Sequence, residues 1–237
     1  MAYDLPLSLW LLGGRYYQKS LTYITQEDFV LQAAWLAIDL QVDLHEAHTV
    51  KLRPFNQTWD RTRTYLENAC RLLGRAMPGH ALDKSDADRV IAVLGQPPLR
   101  CYAIYLITAE LDGQEKCVYV GQTNSKHHRF KSGHRALSAL HHPRYDGLKK
   151  RIYFAGLQLE DDDHHSFPVE WIHPISLRQE VLDSIEMRLI FDLQPELNTQ
   201  GKESFLGLHD LPVACQNMVG RFLDASSFGP PVPNDDE

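Results

Sequence analysis

The stretch Cys101-Tyr102-Ala103-Ile104-Tyr105-Leu106-Ile107-Thr108-Ala109-Glu110-Leu111-Asp112-Gly113-Gln114-Glu115-Lys116-Cys117-Val118-Tyr119-Val120-Gly121 decides the fold. Its first half, to Leu111, is rich in Tyr, Ile and Leu and predicts a strand. Asp112-Gly113 is the dipeptide that two-residue hairpins favour, because both central positions need a positive φ. Cys117 to Gly121 predicts the returning strand.

Downstream, a helix is expected from about Ser125 to Leu140, stopped by His141-His142-Pro143. Arg151–Leu157 and Val169–His173 read as further strands, separated by the acidic loop Glu160–Asp163. Ser176 and Gln179 form a capping pair for a helix running to about Leu193, which Pro195 ends. An amphipathic helix is expected over Leu211–Leu223. The tail from Phe228 to Glu237 is acidic and Pro-rich and reads as disordered.

Upstream, Gln96-Pro97-Pro98 looks like a boundary. Thr25 and Asp28 resemble a cap ahead of the apolar run Phe29–Leu40, which predicts a helix. Trp59, Thr62, Leu66, Ala69 and Leu73 fall on one face of a second helix, from about Thr58 to Gly74, broken by Met77-Pro78-Gly79. Ser85 and Asp88 cap a short helix ending near Gly95. The expectation is a mixed α/β (α+β) fold, a small, mostly antiparallel sheet flanked by helices. Residues 1–98 form a mainly helical N-terminal region, 99–202 the domain built on the hairpin, and 203–237 a C-terminal helix and tail.

Composition narrows the function classes. Hydrophobic residues make up 43% and charged residues 23% of the 237 positions, ordinary values for a chain that buries a core. Cys70, Cys101, Cys117 and Cys215 include no Cys-x-x-Cys pair, which argues against a disulfide scaffold or zinc ribbon and for a reduced compartment. No apolar run is long enough to span a bilayer. Leu5–Leu12 is short and lacks the flanks of a signal peptide, so a soluble, cytoplasmic protein without membrane partners is expected.

The net charge of −7 would disfavour a nucleic-acid partner, but its distribution does not. Between Lys126 and Arg151 lie eight lysines and arginines against the single carboxylate Asp146, an excess of seven positive charges. His127, His128, His134, His141 and His142 share the stretch. Such an island on an acidic protein is what local phosphate binding requires, and a solvated helix face is the alternative reading of the same charges.

Five features follow one another in order. They are Ala103-Ile104-Tyr105 on the first hairpin strand, Tyr119-Val120-Gly121 on the second, and Arg129 with His134 on the next helix. Glu186 follows on the later helix, and then Gln194-Pro195-Glu196-Leu197-Asn198. Each is weak alone, since a strand tyrosine is usually packing and a lone helix carboxylate usually solvated. Their order resembles the GIY-YIG endonuclease family over about residues 101–200. This chain departs from it in Ala103 for the first glycine and in Gln122 where the repair branch often carries lysine. Gly133 stands four residues after Arg129, with His134 one later. His127 and His128 are alternatives for the role of His134.

The resemblance implies a DNA endonuclease using one divalent ion, magnesium or manganese, held by Glu186. It implies Tyr119 as base, with Tyr105 orienting or sharing the proton. A free tyrosine has a pKa of about 10, so a neighbouring cation is needed to make it a base. Arg129 would stabilise transition-state charge through its fork of donors. His134 and Asn198 complete the catalytic set, Asn198 beside the phosphate or holding the tyrosines. Gln122, Lys126, Lys131, Arg135, Lys149 and Lys150 are expected to contact DNA. Whether Tyr105 and Tyr119 share a sheet face depends on register. The rival expectation is a nucleic-acid-binding module on the same fold without catalysis. Elsewhere, His45-Glu46-Ala47-His48 near Asp43 invites a metal reading, but its spacing is not His-Glu-x-x-His.

Overall fold

The computed structural model describes residues 25, 30–76, 82–98, 101–123, 130, 135–162 and 166–231, without the side chains of 56, 135 and 166. Its centre is a seven-stranded sheet. The strands are β1 (Leu31–Asp43), β2 (Ile104–Leu111), β3 (Gln114–Gln122), β4 (Lys150–Asp161), β5 (Ser166–Pro168), β6 (Val213–Asn217) and β7 (Ser226–Phe228). They lie in the order β3-β2-β4-β1-β6-β7, and β5 pairs with β4 beyond the reach of β2. Every pairing is antiparallel except β1 with β6. The helices are α1 (Phe55–Leu73), α2 (Lys84–Leu94), α3 (Arg135–Ala139) and α4 (Ile175–Leu193). The fold is therefore mixed α/β with a mostly antiparallel sheet, as expected.

The hairpin forms where its turn chemistry places it. Asp112 and Gly113 have φ of 53° and 73°, the left-handed pair a two-residue loop needs. α1 follows its apolar spacing; α4 ends at Leu193 as expected but lacks the expected Ser176–Gln179 cap, since Pro174 holds the N-cap position without a side-chain hydrogen bond and Gln179 bonds Gln122 and Asp183 instead. α2 is capped two residues earlier than expected, at Asp83 rather than Ser85: the Asp83 side chain accepts from the Asp86 amide.

β1 corrects the sequence reading. The run Phe29–Leu40 predicts a helix, yet residues from Leu31 form a strand between β4 and β6. A strand covered on both faces is apolar nearly throughout, so no alternation betrays it. Ala34, Leu36 and Ile38 enter the larger core with α1 and α4, while Leu40 and Val42 pack into the smaller core on the other face. A bulge between Ile38 and Leu40 causes that change of side, since one extra residue reverses the alternation.

The expected boundary at residue 98 is thus no boundary of the sheet. Residues ahead of it supply a central strand and α1, whose Trp59 meets Trp171 edge-on at 4.6 Å. Two further expectations are corrected. Leu211–Leu223 holds the short strand β6 and a turn, not a helix, because Val213 and Cys215 are buried beside β1. Val169–Trp171 is a single 3-10 turn with all three residues buried, and the strand here is β5, just before it. Of the helix expected over 125–140, α3 is the described end. Residues 232–237 of the tail lie outside the described residues.

Candidate active site at the β3 edge

β3 closes one side of the sheet, so its outward backbone groups need partners from elsewhere. The segment after α4 supplies them. The Leu197 amide donates to the Val118 carbonyl at 2.9 Å. The Asn198 side chain then acts as a short surrogate strand: Oδ1 accepts from the Val120 amide and Nδ2 donates to the Val120 carbonyl, each at 2.9 Å. Asn198 is buried, and it grips the residue between Tyr119 and Gly121.

Alternation along β3 sends Tyr119 and Gly121 to one face and Val120 and Gln122 to the other. Gly121 is the cross-strand partner of Tyr105. The two tyrosines therefore share a face, with ring centroids 6.0 Å apart and planes inclined by 30°. Their settings differ. Tyr105 is fully buried, edge-on to Phe130 at 5.2 Å and tilted against Phe154 at 6.4 Å. Tyr119 is only partly buried and lines a cavity of about 480 Å³.

On the other face, Gln122 is buried against α4. Its Nε2 donates to Asp183 Oδ1 and Glu186 Oε2, both at 2.8 Å. Its Oε1 accepts from Gln179 Nε2 at 2.8 Å, and that nitrogen also donates to Asp183 Oδ1 at 2.7 Å. Gln122, expected on a DNA-contacting surface, instead ties β3 to α4. An uncharged amide fits there because its two protons satisfy two carboxylates.

Glu186 also lines the cavity, with Met187 and Ile190 from α4, Ala136 and Ala139 from α3, and the segment Glu196–Gln200. Tyr119 from one sheet face and Glu186 from the other thus meet over the β3 edge. Glu196 is itself held by hydrogen bonds from the Tyr145 hydroxyl and the Arg144 guanidinium.

Sequence reasoning missed Asp183 and Gln179. Their signal was present: with Glu186 they stand at i, i+4 and i+7 on one face of α4. Lys126, Arg129, Lys131 and His134 lie outside the described residues, as do His127 and His128, and Arg135 is described only as part of α3. Lys149 and Lys150 border a different cavity, beside His45, His48 and His141.

Among the described residues, no group of three or more His, Cys, Asp or Glu is placed to hold a metal ion. Softer ions that demand several protein ligands find no such set there. A hard cation that keeps most of its waters needs one or two carboxylates, and Glu186, with Asp183 one turn away, fits that demand. No helix among the described residues is long and apolar enough to cross a membrane. No protein-family model, curated protein or solved structure matches the chain.

Proposed function

We propose that this protein is a metal-dependent endonuclease that hydrolyses phosphodiester bonds in DNA. The observation that carries the reading is the meeting of Tyr119 and Glu186 in one cavity at the β3 edge, beside a strand clamped by Asn198. The ordered motifs that resemble the GIY-YIG family support it. The four free cysteines fit a reducing compartment, and the cytoplasm is the proposed location.

In this reading Tyr119 acts as the phenolate that a neighbouring cation would favour: its oxygen takes a proton from the attacking water as the new P–O bond forms and the P–O bond to the leaving oxygen breaks. Tyr105, packed against it, fixes the ring and shields its inner side from solvent. Glu186 binds magnesium or manganese, which when present supplies charge neutralisation and a lowered pKa for a bound water. Gln122 holds the Glu186 carboxylate in place. Asn198 positions Tyr119 through the backbone. Arg129 stabilises charge on the phosphate, and His134 assists the proton traffic; both roles come from the resemblance alone.

The test is purified protein with magnesium or manganese on plasmid, single-stranded and branched DNA. Wild type is expected to cut at least one form, and Glu186→Ala to fold normally and cut none. Failure of wild type on every form would reject the reading.

Two observations favour a second reading, a DNA-binding module without catalysis. The Gln122 amide already occupies a Glu186 oxygen, and Tyr105 is sealed from solvent. Metal-independent DNA binding with no cutting would select it.

A further inference from the structure

On the Tyr105 face, a second cavity of about 560 Å³ opens where the 3-10 segment Leu44–Thr49, α3 and the start of β4 converge. Its floor is apolar, with Phe130 and Leu140 buried and Leu137 partly so. Its rim carries exposed His45, His48 and His141, with Lys149 and Lys150, against the single carboxylate Asp43. The His48 ring is oriented by Nδ1 donating to the His45 carbonyl at 2.9 Å.

The two lysines stand apart from other cations of this region. Arg144 pairs with Glu196, Arg151 with Glu115, and Lys116 with Asp112. Among the described residues, neither Lys149 nor Lys150 pairs with a carboxylate. The three imidazoles do not form a metal cluster. An apolar slot under uncompensated ammonium groups suits an anion with a flat, apolar body, and the volume is in the range of small-ligand sites.

A groove links this cavity to the first. It shares His141 with the second cavity and Ala139 and Leu197 with the Glu186 cavity. α3 and the turn after it divide the two, with Ala136 and Ala139 lining the Glu186 cavity and Leu137 and Leu140 the second. We infer that the second cavity binds a nucleotide, with the base on the Phe130–Leu137–Leu140 floor and the phosphate at Lys149 and Lys150. The choice of a nucleotide among organic anions rests on the nuclease reading of the neighbouring site.

The test uses the full chain in EDTA, where binding is read without cleavage. The probes are thymidine 5′-monophosphate, thymidine, and a short single-stranded DNA. The variants are Lys149→Ala/Lys150→Ala and Leu137→Trp, the latter filling the slot, each checked for wild-type melting. Wild type is expected to bind the monophosphate more tightly than thymidine. The lysine variant should weaken nucleotide or oligonucleotide binding about tenfold or more, and should lower the oligonucleotide's salt slope by about 2. Loss confined to the oligonucleotide marks a subsite for a bound strand, and loss confined to the monophosphate marks a free-nucleotide site. Absence of wild-type binding to both, or unchanged binding in both variants, overturns the inference. A separate magnesium cleavage assay keeps the two claims apart. Binding without cutting sinks only the nuclease reading, and cutting with unchanged variant binding sinks only this one.

Discussion

Gly121 and Tyr105 face each other across the β2–β3 pair, and the phenol fills the space a side chain at 121 would need. A Cβ built on Gly121 would stand 2.5 Å from Tyr105 Cζ and 2.8 Å from Tyr119 Cε1. The glycine of Tyr-Val-Gly is there for close approach of a ring, not for an unusual backbone angle. Gly121→Ala is expected to push both tyrosines aside and cost roughly 1–3 kcal/mol, the usual toll of overpacking. Urea unfolding measures the loss, and near-UV circular dichroism reports the displaced rings. Wild-type stability with an unchanged tyrosine signal would contradict the packing described.

Asn198→Ala removes both hydrogen bonds to Val120 and leaves a buried edge amide and carbonyl unsatisfied. The expected destabilisation is about 1–3 kcal/mol. Asn198→Asp should rescue only part of it, because a carboxylate accepts from the Val120 amide but repels its carbonyl. Hydrogen exchange at Val120 should accelerate in both variants. Unaltered exchange would show that the clamp contributes nothing.

Gln122 lies between two carboxylates of α4 and neutralises neither. Gln122→Glu replaces a double donor with a third carboxylate and should lower stability by roughly 1–3 kcal/mol at neutral pH. Asp183→Asn in the same chain should recover part of the loss, since the pair is in contact and not additive. If Gln122→Glu melts like wild type, Gln122 does not face α4.

Burial pushes the thiols of Cys117 and Cys215 up to about 12, with Asp224 adding to the effect at Cys215. Both should resist thiol reagents at pH 8 in the folded protein, and all four cysteines should react once it unfolds. The linkage sign follows from the raised values. The stabilisation is complete below the ordinary thiol value of 9.0 and is lost as pH climbs towards about 12. Rapid modification of native Cys215 would contradict its burial.

Legibility in the sequence followed local chemistry. The β2–β3 hairpin was readable because Asp112-Gly113 fixes the turn without outside help. The end of α4 was readable because Pro195 cannot continue a helix, whereas its start was not, because no side chain caps it. β1 was not, because its edge partners β4 and β6 come from distant parts of the chain, and separate cores pack on its two faces. β6 failed for the same reason, its apolar residues being spaced well enough for a helix until β1 pairs with it. In the site, the shared face of Tyr105 and Tyr119 awaited only the register. The burial of Gln122 could not be read from β3 alone, since it depends on where α4 crosses the sheet edge. The position of Asn198 after Pro195 draws attention to it, but its partner, the Val120 backbone, depends on where the segment after α4 meets β3.

We propose that Tyr119 and Glu186 serve one scissile phosphate. The most direct measurement is the single-turnover cleavage rate of end-labelled DNA in magnesium for wild type, Tyr119→Phe, Glu186→Ala and the double variant. Loss of a general base costs about 10²- to 10⁴-fold, and residues acting as a unit do not add. Each single variant should therefore lose at least about 100-fold, and the double variant little more than the worse single. Full activity in either single variant, or losses that multiply in the double, would contradict a shared site.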